Sequence, residues 1–591
     1  MLAGLLAAGT LLAGSSMAVG KDVEAAKDLI GRKAPEFSLH DQYGKPHTLV
    51  DFADRKVVVL AFLGNECPLA KLYAGRLEQI AKDYGLRGVT VLGVNANRQD
   101  ALTEIATFAQ QHKLTFPMLK DAGNTVADAL GASRTPQVFV LDESRVVRYV
   151  GRIDDQYGIG FLRPQATRHD LTIALDELLA GKEVSQPTTE APGCLIGRVA
   201  KVEPQGTITY AKQISRLLNE RCANCHHAGD IAPFPMTSYE EVVGWAATIR
   251  EVVEEGRMPP WFADPAHGKF ANDARLSPNE KQLIYDWVDN GCPEGDAKDL
   301  PKPLKFAEGW QIPEPDRVVF LQEKPVKVAA QGTLPYRYFL ADPFFKEDKW
   351  VKAIEARPGN RAVVHHIIVG FIRPKQQPRL GLGGGTLVGY APGMPPAKYP
   401  DGAALFVPAG SKVVFQVHYT PNGSEQFDRS CVGMVFADPK DVRERVDGDE
   451  AANTHFRIPA GADNHPVNSR HEFKDDVRLV SMTPHMHMRG KAFRYEAEYP
   501  DGRKEILLDV PKYDFNWQMR YDLAEPKLLP RGTRLLCTAH FDNSEQNLSN
   551  PDPNRDVRWG DQTWDEMMIG YFTTLPGQSP APVATQPMAG E

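Results

Sequence analysis

Cysteine is scarce in this 591-residue chain. Seven residues cannot staple a disulfide-built scaffold, so each is a candidate for site chemistry. A surplus of positive charge is missing as well: 68 basic residues stand against 76 acidic ones, and no basic face marks a nucleic-acid partner. After the first 20 residues no apolar run approaches membrane length. There is no internal repeat. What remains is 42% apolar and 24% charged, which excludes a largely disordered chain, and the length divides into about three to five domains.

Residues 1–20 read as an export signal. Leu2 to Val19 are apolar or small, no charge occurs before Lys21, and Ser16-Met17-Ala18 has the small-x-small form of a cleavage site. A positive leading segment is absent, and the run sits at the lower edge of spanning length, so an uncleaved anchor is the other reading. Both place the bulk of the chain in the periplasm or otherwise outside the cytoplasm. Membrane contact follows only from the uncleaved form.

Residues 26–185 alternate strand and helix patterns. Val57–Leu63, Val89–Val94 and Gln137–Leu141 are short β-branched runs of buried-strand type. Leu69–Tyr84, Ala101–His112 and a leucine-lined segment from Leu171 to Leu179 carry helical spacing. Strand–helix–strand order implies a central sheet with helices packed on it. Cys67, in Gly64-Asn65-Glu66-Cys67-Pro68, falls where a strand ends and a helix begins, and aligned backbone dipoles there favour a thiolate. Thr135-Pro136 precedes the third strand. In these features the segment resembles the redoxin and thiol-peroxidase branch of the thioredoxin superfamily, which implies a cis-proline beside the cysteine. It departs from that branch in two ways. No second cysteine stands three residues after Cys67, and Gly64 replaces the hydroxyl residue of thiol peroxidases. Cys194, expected on a flexible linker over 186–206, is a candidate partner, and an inert Cys67 in a docking domain is the other reading.

Cys222-Ala223-Asn224-Cys225-His226 is the strongest local signal, the Cys-x-x-Cys-His pattern of c-type haem attachment. Two thioethers grip the haem vinyl carbons and His226 faces the iron. His227 points elsewhere around the helix. Ser238 through Gly256 reads as one helix with a Ser238/Glu241 capping box, and Ser277-Pro278-Asn279-Glu280 opens another. Met258, in a proline-constrained loop, is the expected sixth ligand, with Met236 as its rival. Residues 207–297 thus resemble a small all-α cytochrome c domain, followed by a linker over 298–309.

Nine of the sixteen histidines lie between residues 365 and 540. His365 and His366 are neighbours in a β-branched run, so both reach one ion only if the strand bends or ends there. His418 lies in Val413–Tyr419. His485 and His487, two apart, fall on one strand face. Asp565-Glu566-Met567-Met568 adds a late thioether. Imidazole with thioether, without a carboxylate or thiolate cluster, selects copper. The His-His pair, Gln416-Val417-His418-Tyr419, the His-x-His and Asp565-Glu566-Met567 stand in the order of the copper type II, ascorbate-dependent monooxygenases, the peptidylglycine α-hydroxylating and dopamine β-monooxygenase family, which 310–576 resembles. The resemblance implies two tandem antiparallel, jelly-roll-like β-sandwiches, 310–440 and 441–576, facing a solvent cleft. It implies that His365, His366 and His418 hold an electron-transfer copper. It likewise implies that His485, His487 and Met567 hold the copper that binds dioxygen, with Met568 as the alternative thioether. Cys431 and Cys537 lack the family's disulfide partners and either pair together or stay free.

The expected whole is a multidomain, exported oxidoreductase with two coppers and one covalent haem c, ending in a disordered tail over 577–591. It hydroxylates a C–H bond of an unidentified organic substrate with dioxygen, on electrons that pass from a small-molecule or protein donor through the haem. The competing expectations are a non-oxygenating electron-transfer or copper-handling protein, and a thiol peroxidase coupled to the cytochrome.

Overall fold

The computed structural model describes residues 26–199, 203–306, 309–332, 334–375 and 388–578. The expected signal over 1–20, and the expected tail from residue 579 on, lie outside the described residues. The chain divides into two compact units, one built mainly from residues up to Pro259 with Leu276–Leu304, the other from Pro260–Arg275, Lys305–Pro421 and Glu425 onward. Among the described residues no helix is long and apolar enough to cross a membrane.

The first unit holds a seven-stranded sheet in the order Pro46–Thr48, Ser38–Asp41, Met118–Lys120, Val89–Asn95, Val57–Phe62, Gln137–Leu141, Val147–Gly151. Val57–Phe62 is buried at every residue, and pairs parallel with Val89–Asn95 and antiparallel with Gln137–Leu141. Its alternation sorts the layers. Val57, Val59 and Ala61 pack with Tyr73 and Leu77 of helix Pro68–Gly85, Phe108 of helix Leu102–Gln111 and Leu171 of helix Asp170–Leu179. Val58, Leu60 and Phe62 pack the other way, onto Val126 and Leu130.

The expected linker over 186–206 is corrected by its described part. Thr189 is buried against Tyr149, with hydroxyls 2.6 Å apart, and Cys194–Leu195 forms a strand antiparallel to Arg134–Thr135. Ile196 is 3% exposed in the sheet's second core layer, and this apolar burial is what fixes the segment. The redoxin-like body therefore continues past residue 185, through Ile196 in its core and Val199, whose backbone donates to Asn124 Oδ1 at 2.8 Å.

The helical part of the first unit comprises Ser215–Arg221, Tyr239–Val243, Ala246–Glu254 and Pro278–Asp289, with Trp245, Ile249, Ile284 and Trp287 in its core. Both capping boxes, Ser238 with Glu241 and Ser277 with Glu280, form. The single helix expected from Ser238 to Gly256 is broken at Gly244-Trp245. There the Gln99 side chain comes within 2.4 Å of where a Cβ on Gly244 would stand. The expected domain boundary of 207–297 also changes. Pro260–Arg275 belongs to the second unit, where Trp261 and Phe270 bury their rings against Tyr521, with centroids 4.9 and 5.6 Å away.

The second unit is β-rich. In its first half, Arg317–Phe320, Cys431–Phe436, Lys349–Arg357 and Ala403–Val407 face a four-stranded sheet of Arg337–Ala341, Lys412–Tyr419, Val364–Ile372 and Val388–Tyr390 across a shared apolar core. In its second half, Glu444–Ala452, Ile569–Pro576, Val477–His485 and Tyr521–Leu529 face His465–Glu472, Arg534–Phe541, Gly490–Glu498 and Lys504–Val510. Parallel pairing of Ala403–Leu405 with Glu444–Val446 joins one layer of each half into a continuous sheet, whose ninth strand, Ala397–Lys398, pairs with Lys349–Arg357.

Candidate functional site

Cys67 is the N-cap of helix Pro68–Gly85 and is fully buried. Its Sγ donates to the Thr135 carbonyl at 2.8 Å, and the Thr135-Pro136 peptide is cis. Burial opposes ionisation, but the neighbouring Cys194 thiol, Thr135 and the Ala70 backbone outweigh it and hold the Cys67 thiol down to about 6. Cys194 is pushed up in turn, by its hydrogen bond to Cys67 and then by burial. Gly64 has no room for the hydroxyl side chain that peroxidases carry, because a Cβ there would meet Asn97 Nδ2 at 2.4 Å. The loop is held by Asp100, whose carboxylate accepts from the Asn65 backbone at 3.1 Å, Asn95 Nδ2 at 2.7 Å and Asn97 Nδ2 at 3.1 Å.

In the helical part, Cys222 and Cys225 lie in the turn after Ser215–Arg221 and are not bridged. Burial pushes the Cys222 thiol up to about 12 and holds His226 below its usual range, so its imidazole is neutral. Nδ1 of His226 lies 3.0 Å from the Phe234 carbonyl, which orients the ring and leaves Nε2 as the outward nitrogen. His227 is occupied otherwise, with Nδ1 2.8 Å from the Ala223 carbonyl. Met236 is committed to the helical core, at 5% exposure, while Met258 is half-buried and outside that core.

In the second unit, the structure brings His365, His366 and His418 together, with one nitrogen from each within 4.8 Å of the others. The neighbour problem is solved by a β-bulge. Val364 pairs with Tyr419 and His366 with His418, and the register skips His365. His365 Nδ1 lies 3.1 Å from His366 Nδ1 and 3.4 Å from His418 Nδ1. Two nitrogens bound to one ion at about 2 Å stand about 3 Å apart, so this spacing suits a shared metal.

His485 ends the strand Val477–His485, and His487 lies just beyond it, with ring centroids 5.3 Å apart. Each has its Nδ1 engaged, that of His485 2.6 Å from Gln518 Oε1 and that of His487 3.3 Å from the Asp565 carbonyl. The Nε2 atoms of His365, His366 and His487 are buried without a partner. Burial lowers all five imidazoles, His365 and His485 to about 4 and His487 to about 3, so they present lone pairs at neutral pH. Met568 belongs to the sandwich core, whereas Met567 is buried, 2% exposed, outside it. The Glu566 carboxylate ties the two segments together by accepting from the backbones of His487 at 2.8 Å and Arg489 at 2.6 Å. Its burial raises it to about 7.

The expected solvent cleft between two histidine sets is corrected. His366 and His485 stand 6.5 Å apart, and the rings of Tyr336 and Phe515 fill the space among the imidazoles. These aromatic rings bury apolar area only if the two sets close on one another. A cavity of about 480 Å³ opens beside the cluster, reaching His366 and His485 and lined by Tyr390, Met394, Tyr399 and Tyr571. Sequence reading missed Tyr336, Phe515 and Gln518. The aromatic-rich run Tyr513-Asp514-Phe515-Asn516-Trp517-Gln518 between two strands was the available signal. Cys431 and Cys537 are both buried and unbridged.

The sheet order, the N-cap cysteine and the cis-proline beside it define the N-terminal body as a thioredoxin-like α/β domain of redoxin type. The AhpC/TSA family pattern matches residues 30–150. Thiol-disulfide oxidoreductase ResA of Geobacillus thermodenitrificans is 30% identical over 121 residues, 20% of this chain and 68% of that protein. Chloroplastic peroxiredoxin Q of Oryza sativa subsp. japonica is 32% identical over 127 residues, 20% of this chain and 57% of that protein. A hypothetical protein from Sinorhizobium meliloti 1021 is 34% identical, covering 29% of this chain and 95% of that one, with a TM-score of 0.27. Through residues 30–150 the chain belongs to the AhpC/TSA family. It spans about two thirds of the first of these relatives and little more than half of the second.

Proposed function

We propose that this protein is an exported oxidoreductase with three redox centres: the Cys67 thiol, a haem c attached through Cys222 and Cys225, and two coppers in the β-rich unit. The observation that carries the reading is the nitrogen cluster of His365, His366 and His418 within 4.8 Å, made possible by the bulge at His365. Neutral imidazoles and orphaned buried Nε2 atoms fit a borderline-soft cation, and a thioether from Met567 with His485 and His487 favours copper. Copper bound here supplies one-electron transfer and dioxygen activation. The chain's own residues do the positioning. Gln518 and the Asp565 carbonyl fix the tautomers of His485 and His487, and Tyr336 and Phe515 exclude water from among the rings.

The apolar cavity beside His366 and His485 suits a small, largely apolar organic molecule as the substrate of a C–H hydroxylation. In the helical part, His226, its ring held by the Phe234 carbonyl, would hold the haem iron together with Met258, since Met236 is committed to packing. A haem held there would supply one-electron transfer from a small-molecule or protein donor.

The test is a count of copper and haem per chain on protein matured in a periplasm, with His485→Ala alongside. One haem and two coppers, falling to about one copper in the variant, with copper-dependent oxygen uptake on small apolar substrates, is the expected result. Haem without tightly held copper overturns the monooxygenase reading.

A further inference from the structure

The cavity beside His366 and His485 has two unlike walls. One is built from the neighbouring strands Val477–His485 and Ile569–Pro576, which pair antiparallel with Ser481 opposite Thr573 and Thr483 opposite Tyr571. Alternation along each strand decides which side chains face the cavity. Met482 and Phe572, between them, pack in the sandwich core, so Ser481, Thr483, Tyr571 and Thr573 share the other face and line the cavity. Among the described residues, none of these four hydroxyls is hydrogen-bonded to another protein group. The row also runs toward the histidines. Ser481, Thr483 and His485 occupy alternate positions of one strand, so Thr483 stands about 7 Å and Ser481 about 13 Å along it from His485.

The other wall holds Tyr390, Met394 and Tyr399, which offer ring faces and a thioether. Burial pushes the Tyr399 phenol up to about 12, so it stays neutral. Charge on the lining is cancelled as well. Arg520 grips Asp522 twice, Nε to Oδ1 at 2.7 Å and Nη2 to Oδ2 at 3.0 Å, and Nη2 also donates to the Pro396 carbonyl at 3.4 Å. Among the described lining residues Lys398 is the remaining charge, and it is exposed. His366 and His485 present neutral imidazoles.

These walls restrict the occupant. A charged group taken in away from Lys398 would find no unpaired counter-charge to offset its desolvation. A bare hydrocarbon would strip water from four hydroxyls and return no bond to them. A neutral molecule with oxygen at one end of a hydrocarbon frame satisfies both walls.

We propose that the cavity binds a neutral, oxygenated hydrocarbon, an alcohol, ketone or ether, with its oxygen on the hydroxyls of Ser481 and Thr573 and its frame against Tyr390, Met394 and Tyr399. The proposal rests on this cavity being the substrate site of the monooxygenase, and it narrows the substrate class of that site. An oxygen held at Ser481 and Thr573 leaves the hydrocarbon end toward His485. Ser481 and Thr573 are thus specificity-determining residues, and amines and carboxylates of the same frame are excluded.

The experiment titrates the metal-free full chain with three probes of one frame, cyclooctanol, cyclooctylamine and cyclooctanecarboxylate, followed by calorimetry at neutral pH. Cyclooctanol should bind at least about 10-fold more tightly than either ion. In Ser481→Ala and in Thr573→Val its affinity should fall about 3–10-fold, the worth of one hydrogen bond. Equal or tighter binding of the amine or the carboxylate overturns the proposal, as does wild-type protein that fails to bind cyclooctanol. The wild-type series stands whether or not the variants fold. No copper is present in these titrations, so the two readings fail separately. Cyclooctanol binding in a protein that holds no copper removes the monooxygenase and leaves the ligand class, whereas full copper loading with a preference for a charged probe does the reverse.

Discussion

His366 faces His418 across an antiparallel strand pair, while His365, one residue earlier, is the unpaired member of a β-bulge and still reaches both, with Nδ1 atoms 3.1 and 3.4 Å away. Without the extra residue, His365 would point to the opposite face of the sheet.

His365→Ala removes one nitrogen from the three-imidazole cluster without altering the pairing of Val364 or His366. Copper bound per chain should fall by about one equivalent while the thermal midpoint of the metal-free protein moves little. Metal analysis beside a calorimetric scan checks both.

Gln518 holds His485 Nδ1 at 2.6 Å and touches no metal in the proposed arrangement. It is a positioning residue. Gln518→Leu should weaken copper binding by about 10–100-fold with stoichiometry at saturation unchanged. Competition against a calibrated copper chelator reads that affinity, and unaltered binding would remove Gln518 from the site.

His226→Ala and His227→Ala should differ. Cys222→Ser or Cys225→Ser should abolish or weaken covalent haem staining on denaturing gels, and His226→Ala should shift the Soret band by loss of axial ligation. His227→Ala should leave the spectrum unchanged, because its Nδ1 is already engaged by the Ala223 carbonyl at 2.8 Å.

Neighbouring groups outweigh burial and hold the Cys67 thiol down to about 6, so its loss of the proton is expected near that pH. The difference in absorbance at 240 nm between wild type and Cys67→Ser should therefore rise through about pH 6. Cys194→Ala removes a donor to the sulfur and should move that rise to higher pH.

Asp100→Ala leaves three buried donors, the Asn65 backbone and the amides of Asn95 and Asn97, without their acceptor. At about 1–3 kcal/mol for each unsatisfied group, the redoxin domain should lose at least about 3 kcal/mol, read as a lower urea midpoint with the slope unchanged.

Local patterns were legible wherever one element decided them. β-branched runs gave the central strands, serine–glutamate spacing gave both helix caps, and residue order gave His365, His366, His418, His485 and His487 as candidates. Cys67 was legible because a helix N-cap is a local position. Where a contact crosses the chain, reading failed. The 186–199 segment looked like part of a proline- and charge-rich linker because its strand has a partner, Arg134–Thr135, that lies far back in sequence. Pro260–Arg275 looked like part of the helical domain until Trp261 and Phe270 found Tyr521.

The sequence by itself determined the inventory: seven cysteines, a Cys-x-x-Cys-His string, paired histidines in β-branched surroundings and an N-capping thiol. Each depends on residues within a few positions of one another, where period and spacing are binding constraints. The tertiary structure decided the partnerships. It set Cys194 opposite Thr135, turned His365 inward by one unpaired residue, and closed the four imidazoles of His365, His366, His418 and His487 around Tyr336 and Phe515. Strand register and ring packing bring distant residues together, and no local spacing encodes either.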